Sequence, residues 1–430
     1  MPDPKSDAFT RRLFLRQGLT LASMMSTTPW FLEQTAHGVM TPLDALTSSR
    51  PGVPEDHVLV VVQLGGGNDG LNTVVPYGDR MYNTLRPQLA IPAPGRTDSV
   101  LSLDDSAGIG LNPGLASFKD LFDDGVASII QGVGYPNPNR SHFTSMDIWH
   151  TAALDGKGDG WLGRYFDNNC NGTPEAEGMI SIGREAPLAM NGVINKPVTF
   201  ESSELFQWSG RRVHDSLEAP YKEINETPEL DGVDPEGQLA FLLRTSMDAQ
   251  VSSDRIRTAV AKQPLVHYPG GNLSDQLRVI GAMIRDGLST RVYYASIGGF
   301  DTHANQAGTH QRLLRQVGDS LKSFYEDIKA QGNSSRVLTM VFSEFGRRVA
   351  QNASGGTDHG TAAPMYLIGD MVRPGLLGSH PSLNDLDQGD LKFTVDFRSI
   401  YATVLDDWLG ASSRDVLGAQ FRAANVLRGS

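Results

Sequence analysis

The sequence predicts an α/β protein, a three-layer sandwich around a mostly parallel β-sheet. Long, nearly uninterrupted apolar runs recur along the chain, which is the pattern of strands covered on both faces. Helical patterns with one apolar face separate these runs. Such alternation is typical of parallel strands connected by helices that pack on both faces of the sheet.

Five apolar runs mark the predicted strands. They are Val58–Gly70 ("VLVVVQLGGGNDG"), Val126–Gly134 ("VASIIQGVG"), Arg291–Gly299 ("RVYYASIGG"), Arg336–Gly346 ("RVLTMVFSEFG") and Ala363–Gly369 ("APMYLIG"). Helical spacing places further apolar residues on single faces, and these are Leu273, Leu277, Ile280 and Ile284 in one predicted helix and Leu313, Val317, Leu321, Phe324 and Ile328 in another. A third helical pattern covers Phe397–Gly410.

The composition narrows the class of protein and of metal site. The 430 residues are 39% hydrophobic and 20% charged, enough apolar material for a large core. A formal net charge of −12 argues against nucleic-acid binding, which needs a basic face. The single cysteine, Cys170, excludes an internal disulfide and a thiolate cluster. Any metal ion must therefore be held by oxygen and imidazole nitrogen.

Residues 1–40 are predicted to be a targeting segment and lead-in. Arg11 and Arg12 precede Phe14, Leu15 and a weakly apolar run, which resembles a bacterial twin-arginine signal peptide. The resemblance implies export to the periplasm or the medium, with the twin-arginine translocase as a partner. The run is too short and too polar for a stable membrane span. A basic amphipathic N-terminus is the alternative.

Residues 56–430 are predicted to form a single domain. A polar, turn-rich segment at about 171–235 interrupts the apolar pattern. It has too little apolar periodicity to build a core of its own. We therefore expect it to be an insertion or a cap over the edge of the sheet.

Acidic and imidazole side chains stand next to the predicted strands. They are Asp69, Asp301, His303, Glu344 and His359. In open α/β sheets, ligands bind outside the carboxyl ends of the strands, so these side chains meet at one edge if the strands are neighbours. Neighbouring glycines let the backbone approach a ligand closely, and carboxylates with imidazoles suit a divalent cation.

Each of these residues also has a purely structural interpretation. Asp69 is equally explained as an Asx turn or a helix N-cap, and Asp301 as the cap of a helix that begins near residue 305. His359 is explained as a turn residue. Glu344 is explained as a solvated strand end paired with Arg347 or with Arg348. The coincidence of several such strand ends favours a common site.

Five motifs carry a resemblance to a known family over nearly the whole chain after residue 55. They are "LGGGNDGLNTVVPYGD", "PNRSHFTSMDIWHT", "GFDTHANQ", "SEFGRR" and "TDHGTAAPMYLIG". In this order, behind a twin-arginine signal, they resemble the exported bacterial proteins grouped as domain of unknown function 1501. That family is similar to a divergent branch of the alkaline phosphatase and sulfatase superfamily, which implies an alkaline phosphatase-like sheet.

The superfamily resemblance implies roles for single residues. Its members hold divalent metals at the carboxyl ends of the sheet, while a residue at a helix start attacks phosphorus or sulfur. By similarity, the metal ligands are Asp69, Asp301, His303, Glu344 and His359. Ser141 is the implied nucleophile, Arg140 and Arg347 are implied to balance charge on the transferred group, and His303 is implied to stabilise the leaving group. Zn²⁺, Mn²⁺, Ca²⁺ and Mg²⁺ are the candidate ions.

The sequence departs from the superfamily at two positions. Phe345 stands where a ligand histidine is expected, and Asp301 and His303 are closer in sequence than usual. We therefore expect one ion rather than two. Ser141 is also open to a structural interpretation as a helix cap, with Thr144 and Ser145 one turn further on.

Two functions remain after these steps. One is an exported metal-dependent hydrolase of sulfate or phosphate esters, on small molecules or polysaccharides. The other is a non-catalytic, metal-dependent binding or assembly protein of the cell envelope, which the phenylalanine at position 345 favours.

Overall fold

A computed structural model of the protein describes residues 56–169, 177–201 and 255–428. The strands in these ranges are β1 (Val58–Leu64), β2 (Val74–Val75), β3 (Leu101–Asp104), β4 (Ile109–Leu111), β5 (Ala127–Gly134), β6 (Met179–Ile182), β7 (Val198–Phe200), β8 (Val292–Ile297), β9 (Val337–Phe342), β10 (Ala363–Ile368), β11 (Gly375–Leu377), β12 (Leu386–Asp387), β13 (Asp390–Leu391) and β14 (Val395–Asp396). The α-helices are α1 (Arg80–Leu85), α2 (Ala116–Asp123), α3 (His142–Thr151), α4 (Trp161–Asn169), α5 (Asn272–Arg285), α6 (Gln306–Ala330), α7 (Phe397–Thr403) and α8 (Ser413–Leu417). A further helical stretch at 255–260 is not numbered.

The central sheet has nine strands and is mostly parallel, as predicted. Its order is β11-β5-β10-β9-β1-β8-β6-β7, and β14 also pairs with β5. β10 is the exception, because it runs antiparallel to β5 and β9. The prediction that Ala363–Gly369 is a parallel strand is therefore wrong. Because β10 is reversed, its amino end lies at the same edge as the carboxyl ends of β8 and β9, which brings His359 to that edge.

Helices cover both faces of the sheet, which confirms the three-layer arrangement. On one face, Val58, Val60 and Val62 of β1 pack into a core that includes buried residues of α5 and α6. On the other face, Leu59 and Val61 belong to a second core with residues of α3, α4 and α7. Successive residues of β1 thus point alternately into the two cores, and this explains its continuous apolar run.

Part of the polar segment predicted at 171–235 extends the sheet. β6 pairs in parallel with β8, and β7 pairs in parallel with β6. These strands have four and three residues, too short to stand out in the sequence. Residues 171–176 and 202–235 of that segment, the twin-arginine motif and Cys170 lie outside the described residues. None of the helices in the described ranges is long and apolar enough to span a membrane.

Candidate metal centre

Three imidazoles converge on the carboxylate of Asp301 at the carboxyl edge of the sheet. The Nε2 atoms of His303 and His359 lie 2.9 Å and 3.1 Å from Asp301 Oδ1. They lie 2.9 Å from each other. His142 Nε2 lies 3.5 Å from the same oxygen. Ligand atoms bound at about 2.0–2.2 Å to a tetrahedral ion are themselves about 3.3–3.6 Å apart, close to these spacings.

Each imidazole is held through its other ring nitrogen. His142 Nδ1 lies 2.8 Å from Glu344 Oε1. His359 Nδ1 lies 2.9 Å from the Arg140 carbonyl oxygen. His303 Nδ1 lies 3.4 Å from Asp358 Oδ1. These acceptors favour a proton on each Nδ1, which turns the Nε2 lone pairs towards the centre. The lone pairs of His142 and His359 and a carboxylate oxygen of Asp301 then face one another, with His303 Nε2 beside His359. Such an arrangement needs a proton or a cation among them.

The residues present fit a metal ion. His142 Nε2 is a buried nitrogen with no hydrogen-bond partner in the described part of the protein, and a buried polar atom of this kind is costly unless a ligand satisfies it. Ligand atoms of His142, Asp301 and His359 all lie within 4.8 Å of one another. The Asp301 side chain is 47% exposed, so an ion can reach it from solvent. His303 lies beside this group but is not part of it. Two imidazole nitrogens and one carboxylate oxygen suit Zn²⁺ or Mn²⁺ better than Ca²⁺ or Mg²⁺, which prefer oxygen ligands.

Arg347 lies under this cluster rather than facing a substrate. Its side chain is fully buried, and Nη2 donates to Asp301 Oδ1 at 2.7 Å. Nη2 also donates to the carbonyl oxygens of Gly66 and Phe300. Nε and Nη1 donate to those of Gly67 and Thr357. Burial raises the pKa of Asp301, but the hydrogen bond and the positive charge of Arg347 outweigh it and bring the pKa down, to about 2. Arg347 therefore positions Asp301, and the expected contact with the transferred group does not fit its burial.

Glu344 supports His142 instead of joining the ligand atoms. Its Oε1 accepts hydrogen bonds from the Gly66 amide and, at 2.8 Å, from His142 Nδ1. Its Oε2 accepts one from the Ser343 hydroxyl at 3.1 Å. Both oxygens accept hydrogen bonds and the residue is 2% exposed, a geometry that favours a supporting role towards His142 over the ligand role expected from the sequence.

Asp69 also lies outside the cluster. It is fully buried, and its Oδ2 accepts from Arg86 Nη1 at 2.6 Å and from Gln306 Nε2. Its Oδ1 accepts from the Asn72 amide at 3.4 Å, so Asp69 caps the short 3₁₀ turn Gly70–Asn72. Since protein donors occupy both oxygens, the geometry matches the N-cap interpretation and not the ligand role.

The glycines after β1 allow close packing beneath the site. Gly66 and Gly67 have φ angles of 114° and 73°. A Cβ atom on Gly66 would lie 2.5 Å from the Asp301 amide nitrogen, and one on Gly67 would lie 2.3 Å from the ring of Phe345. Only glycine permits both the backbone conformation and these contacts.

Phe345 fills the position at which a further imidazole was expected. It is 2% exposed, and its ring centroid lies 4.9 Å from that of His142 and 4.9 Å from that of His359. It therefore forms an apolar wall of the cluster. Across the described ranges, a single group of side chains that could hold a metal ion is found, and it consists of His142, Asp301 and His359.

Ser141 stands at the N-cap position of α3, directly before His142. Its side chain is exposed, and its hydroxyl makes no capping hydrogen bond to the helix. Its amide donates to Asn139 Oδ1 at 2.8 Å. In contrast, Ser145 is buried, and its hydroxyl donates to the Glu344 carbonyl oxygen at 2.6 Å. Ser141 thus keeps a free hydroxyl, whereas Ser145 ties α3 to the sheet.

Arg140 is only partly available. Its guanidinium forms an ion pair with the buried carboxylate of Asp390, and its side chain is 37% exposed. The carbonyl oxygen of Arg140 holds His359 in place. Arg140 therefore lies beside the cluster as expected, but its charge is already compensated.

His142 and Asp358 belong to the surroundings of Asp301, although neither was predicted as a site residue. Both stand inside quoted motifs, "NRSHF" and "TDHG", each next to a predicted site residue. The predicted site residues stand next to strands, whereas His142 begins a helix and Asp358 lies in a loop. A count of every imidazole in the quoted motifs would have found His142.

Solved structures give distant likenesses. A protein of the alkaline phosphatase superfamily from Vibrio parahaemolyticus shares 8% identity, covering 90% of this chain and 77% of that chain at a TM-score of 0.40. A sulfatase from Pseudoalteromonas sp. shares 10% identity over 91% and 72% of the two chains at 0.37. Ps i-CgsB, solved in complex with k-i-k-neocarrahexaose, shares 12% identity over 86% and 73% at 0.37. Among curated proteins, no sequence relative matches the chain.

A family model matches the part of the chain that carries the cluster. The family described as "Protein of unknown function (DUF1501)" matches residues 129–418, a span that contains His142, Asp301, His303 and His359. Because the match covers more than half of the chain, the protein belongs to the DUF1501 family.

Proposed function

We propose that the protein is an exported, metal-dependent hydrolase of sulfate or phosphate esters with Ser141 as its nucleophile. The observation that carries the proposal is the convergence of three anchored imidazoles on Asp301, beside a helix start with an uncommitted serine hydroxyl. Export is supported by the twin-arginine pattern at Arg11 and Arg12.

The chain's own groups divide the work between binding and reaction. The free backbone N–H groups at the start of α3 receive the anionic ester oxygens. A divalent ion such as Zn²⁺ or Mn²⁺, when bound, supplies positive charge that offsets those oxygens and favours ionisation of the serine hydroxyl. Ser141 Oγ forms a bond to sulfur or phosphorus while the bond to the alcohol oxygen breaks, and the alcohol leaves with a proton. Water then cleaves the serine ester and restores the hydroxyl.

The second candidate is a metal-dependent binding or assembly protein of the cell envelope. The two arginines expected to face the ester support it, because Arg347 is fully buried and Arg140 is paired with Asp390. An ester hydrolase of this kind ordinarily offers a free cation to the transferred group. Retained metal binding without turnover is the behaviour that this candidate predicts.

Serine substitution with a substrate screen separates the two candidates. The full chain, loaded in turn with Zn²⁺, Mn²⁺, Ca²⁺ or Mg²⁺, is assayed with 4-nitrophenyl sulfate, 4-nitrophenyl phosphate and phosphonate esters. For a hydrolase, Ser141→Ala should lower kcat by a factor of about 10³ or more at unchanged metal content, because only the nucleophile is lost. Thr144→Ala, one turn further on and also exposed, is the matched control and should keep most of the rate.

Two results would count against the hydrolase. An active wild type whose Ser141→Ala variant keeps its rate removes the nucleophile assignment. A protein that binds about one equivalent of metal but cleaves none of the esters favours the binding protein.

A further inference from the structure

A cleft of about 730 Å³ opens beside the imidazole cluster. It shares Arg140, Glu344 and Phe345 with the surroundings of the cluster, and its far wall is formed by the hairpin β12–β13 and the residues that follow it. Its volume lies within the range of about 300–1,000 Å³ that is usual for ligand pockets. A ligand with an ester group at the cluster would therefore place its remaining part in this cleft.

Buried polar atoms in the cleft wall lack partners. Trp149 and Asp390 line the cleft and are 2% and 1% exposed. Within the described ranges, Trp149 Nε1 and Asp390 Oδ1 make no hydrogen bond, and Arg348 Nε is 3.8 Å from the latter. One of these atoms is a donor and the other is an acceptor. A ligand rich in hydroxyl groups offers both complements, and satisfying such atoms recovers the cost of leaving them unpaired.

The cations at the cleft are already neutralised. Arg140 pairs with Asp390, and Lys392 pairs with Asp385, while Asp387 adds a further negative charge to the wall. Among the described residues that line it, the cleft therefore offers no uncompensated cation to a polyanion. Electrostatics favours a ligand portion that is neutral.

Two cleft residues hold positive φ angles, which asparagine tolerates well but which are uncommon for glutamine. Asn137 has a φ of 54° and Gln388 a φ of 51°, and Gln388 is followed by Gly389 at 88° in the two-residue turn of the hairpin. Such turns favour Asn or Asp at the first position, so glutamine is a costlier choice there. Residues in strained conformations cluster at ligand sites, and an amide side chain pairs well with neighbouring hydroxyls.

We propose that this cleft is a subsite for a neutral, polyhydroxylated group, that is, one or more uncharged sugar rings. The assignment of these rings as the alcohol part of the ester rests on the proposed hydrolase function. Binding of the rings themselves does not depend on that function.

The test measures binding separately from hydrolysis. The full chain, with and without EDTA, is applied to a glycan array that carries neutral, polysulfated and polyuronic oligosaccharides. The strongest neutral ligand is then titrated calorimetrically. We expect neutral glycans to bind in both conditions, and Gln388→Asn or Asn137→Gly, which keep the backbone conformation available, to weaken binding at least about tenfold.

The matched control is Arg422→Ala. Arg422 lines a separate cleft of about 410 Å³ near β14, and its loss should leave glycan affinity unchanged. Absence of neutral binders, preference for polyanions, or full affinity in Gln388→Asn and Asn137→Gly would each overturn the proposal. If esters are cleaved but no neutral glycan binds, the proposed subsite is wrong and the proposed hydrolase function is supported. If neutral glycans bind but no ester is cleaved, the subsite is supported and the hydrolase function is wrong.

Discussion

Asp69 and Asp301 hold equivalent places in the fold, since they follow the neighbouring parallel strands β1 and β8, but their surroundings differ. Asp69 is fully buried, and Arg86, Gln306 and a backbone amide occupy its two oxygens. Asp301 is half-exposed and gathers imidazoles. A strand-end carboxylate therefore becomes a candidate metal ligand only where protein donors leave it an open approach.

The two carboxylates do not differ in charge at neutral pH. Burial raises the pKa of Asp69, but Arg86, His310 and Gln306 together bring it below its ordinary value. The pKa of Asp301 is about 2. Both are ionised at neutral pH, so access and the identity of the partners make the difference.

The largest effect that tests this comparison is on stability. Asp69→Asn leaves the buried Arg86 guanidinium without its counter-charge, so we expect the free energy of unfolding to fall by about 3–5 kcal/mol. Metal content per folded molecule should be unchanged. Denaturant unfolding followed by circular dichroism, with elemental analysis of the folded protein, measures both. Loss of the metal from a variant of normal stability would reverse the roles assigned to the two aspartates.

Asp301→Asn should give the opposite pattern. The side chain is half-exposed and supplies an oxygen to the cluster, so we expect metal affinity to fall beyond the roughly 100-fold typical of a lost outer partner. Stability of the metal-free protein should change far less than in Asp69→Asn. Competition with a fluorescent chelator measures the affinity. Equal metal affinity in Asp301→Asn and wild type would contradict the centre described here.

Glu344→Gln sharpens the distinction between a ligand and its support. The amide keeps the shape of the side chain but weakens the contact with His142 Nδ1, so we expect metal affinity to fall about 10–100-fold. Because a merely structural change would leave the imidazole tautomer unaltered, ¹⁵N NMR of His142 is the discriminating readout. An affinity loss as large as that of Asp301→Asn would return Glu344 to the ligand set.

The long central strands could be predicted from the sequence because burial on both faces leaves a continuous apolar run. β1, β8 and β9 illustrate this, since each is almost fully buried. The direction of β10 was not accessible, because an antiparallel strand buried on both faces has the same apolar pattern. The short strands β6 and β7 were missed for lack of length.

Within the site, residue type was predictable but partnership was not. Asp301, His303 and His359 were selected and do meet. Asp69 was selected by the same reasoning, but its partner Arg86 lies in the C-terminal turn after α1, where no local pattern indicates an ion pair. Long-range pairing of this kind depends on the packing of distant segments, which residue spacing along one chain does not encode.

The smallest predicted effect concerns Ser141 and Ser145 at the start of α3, which differ in burial as Asp301 and Asp69 do. Ser145 is buried, and its hydroxyl contacts the Glu344 carbonyl oxygen and Tyr135 Oη, at 2.6 Å and 2.7 Å. Ser145→Ala leaves both groups without this partner, so we expect a loss of about 1–2 kcal/mol in the free energy of unfolding. Ser141→Ala removes an exposed hydroxyl that makes no cap and should change it by less than about 0.5 kcal/mol. Denaturant unfolding of the two variants side by side measures the difference, and a larger loss for Ser141→Ala would mean that its hydroxyl is structural after all.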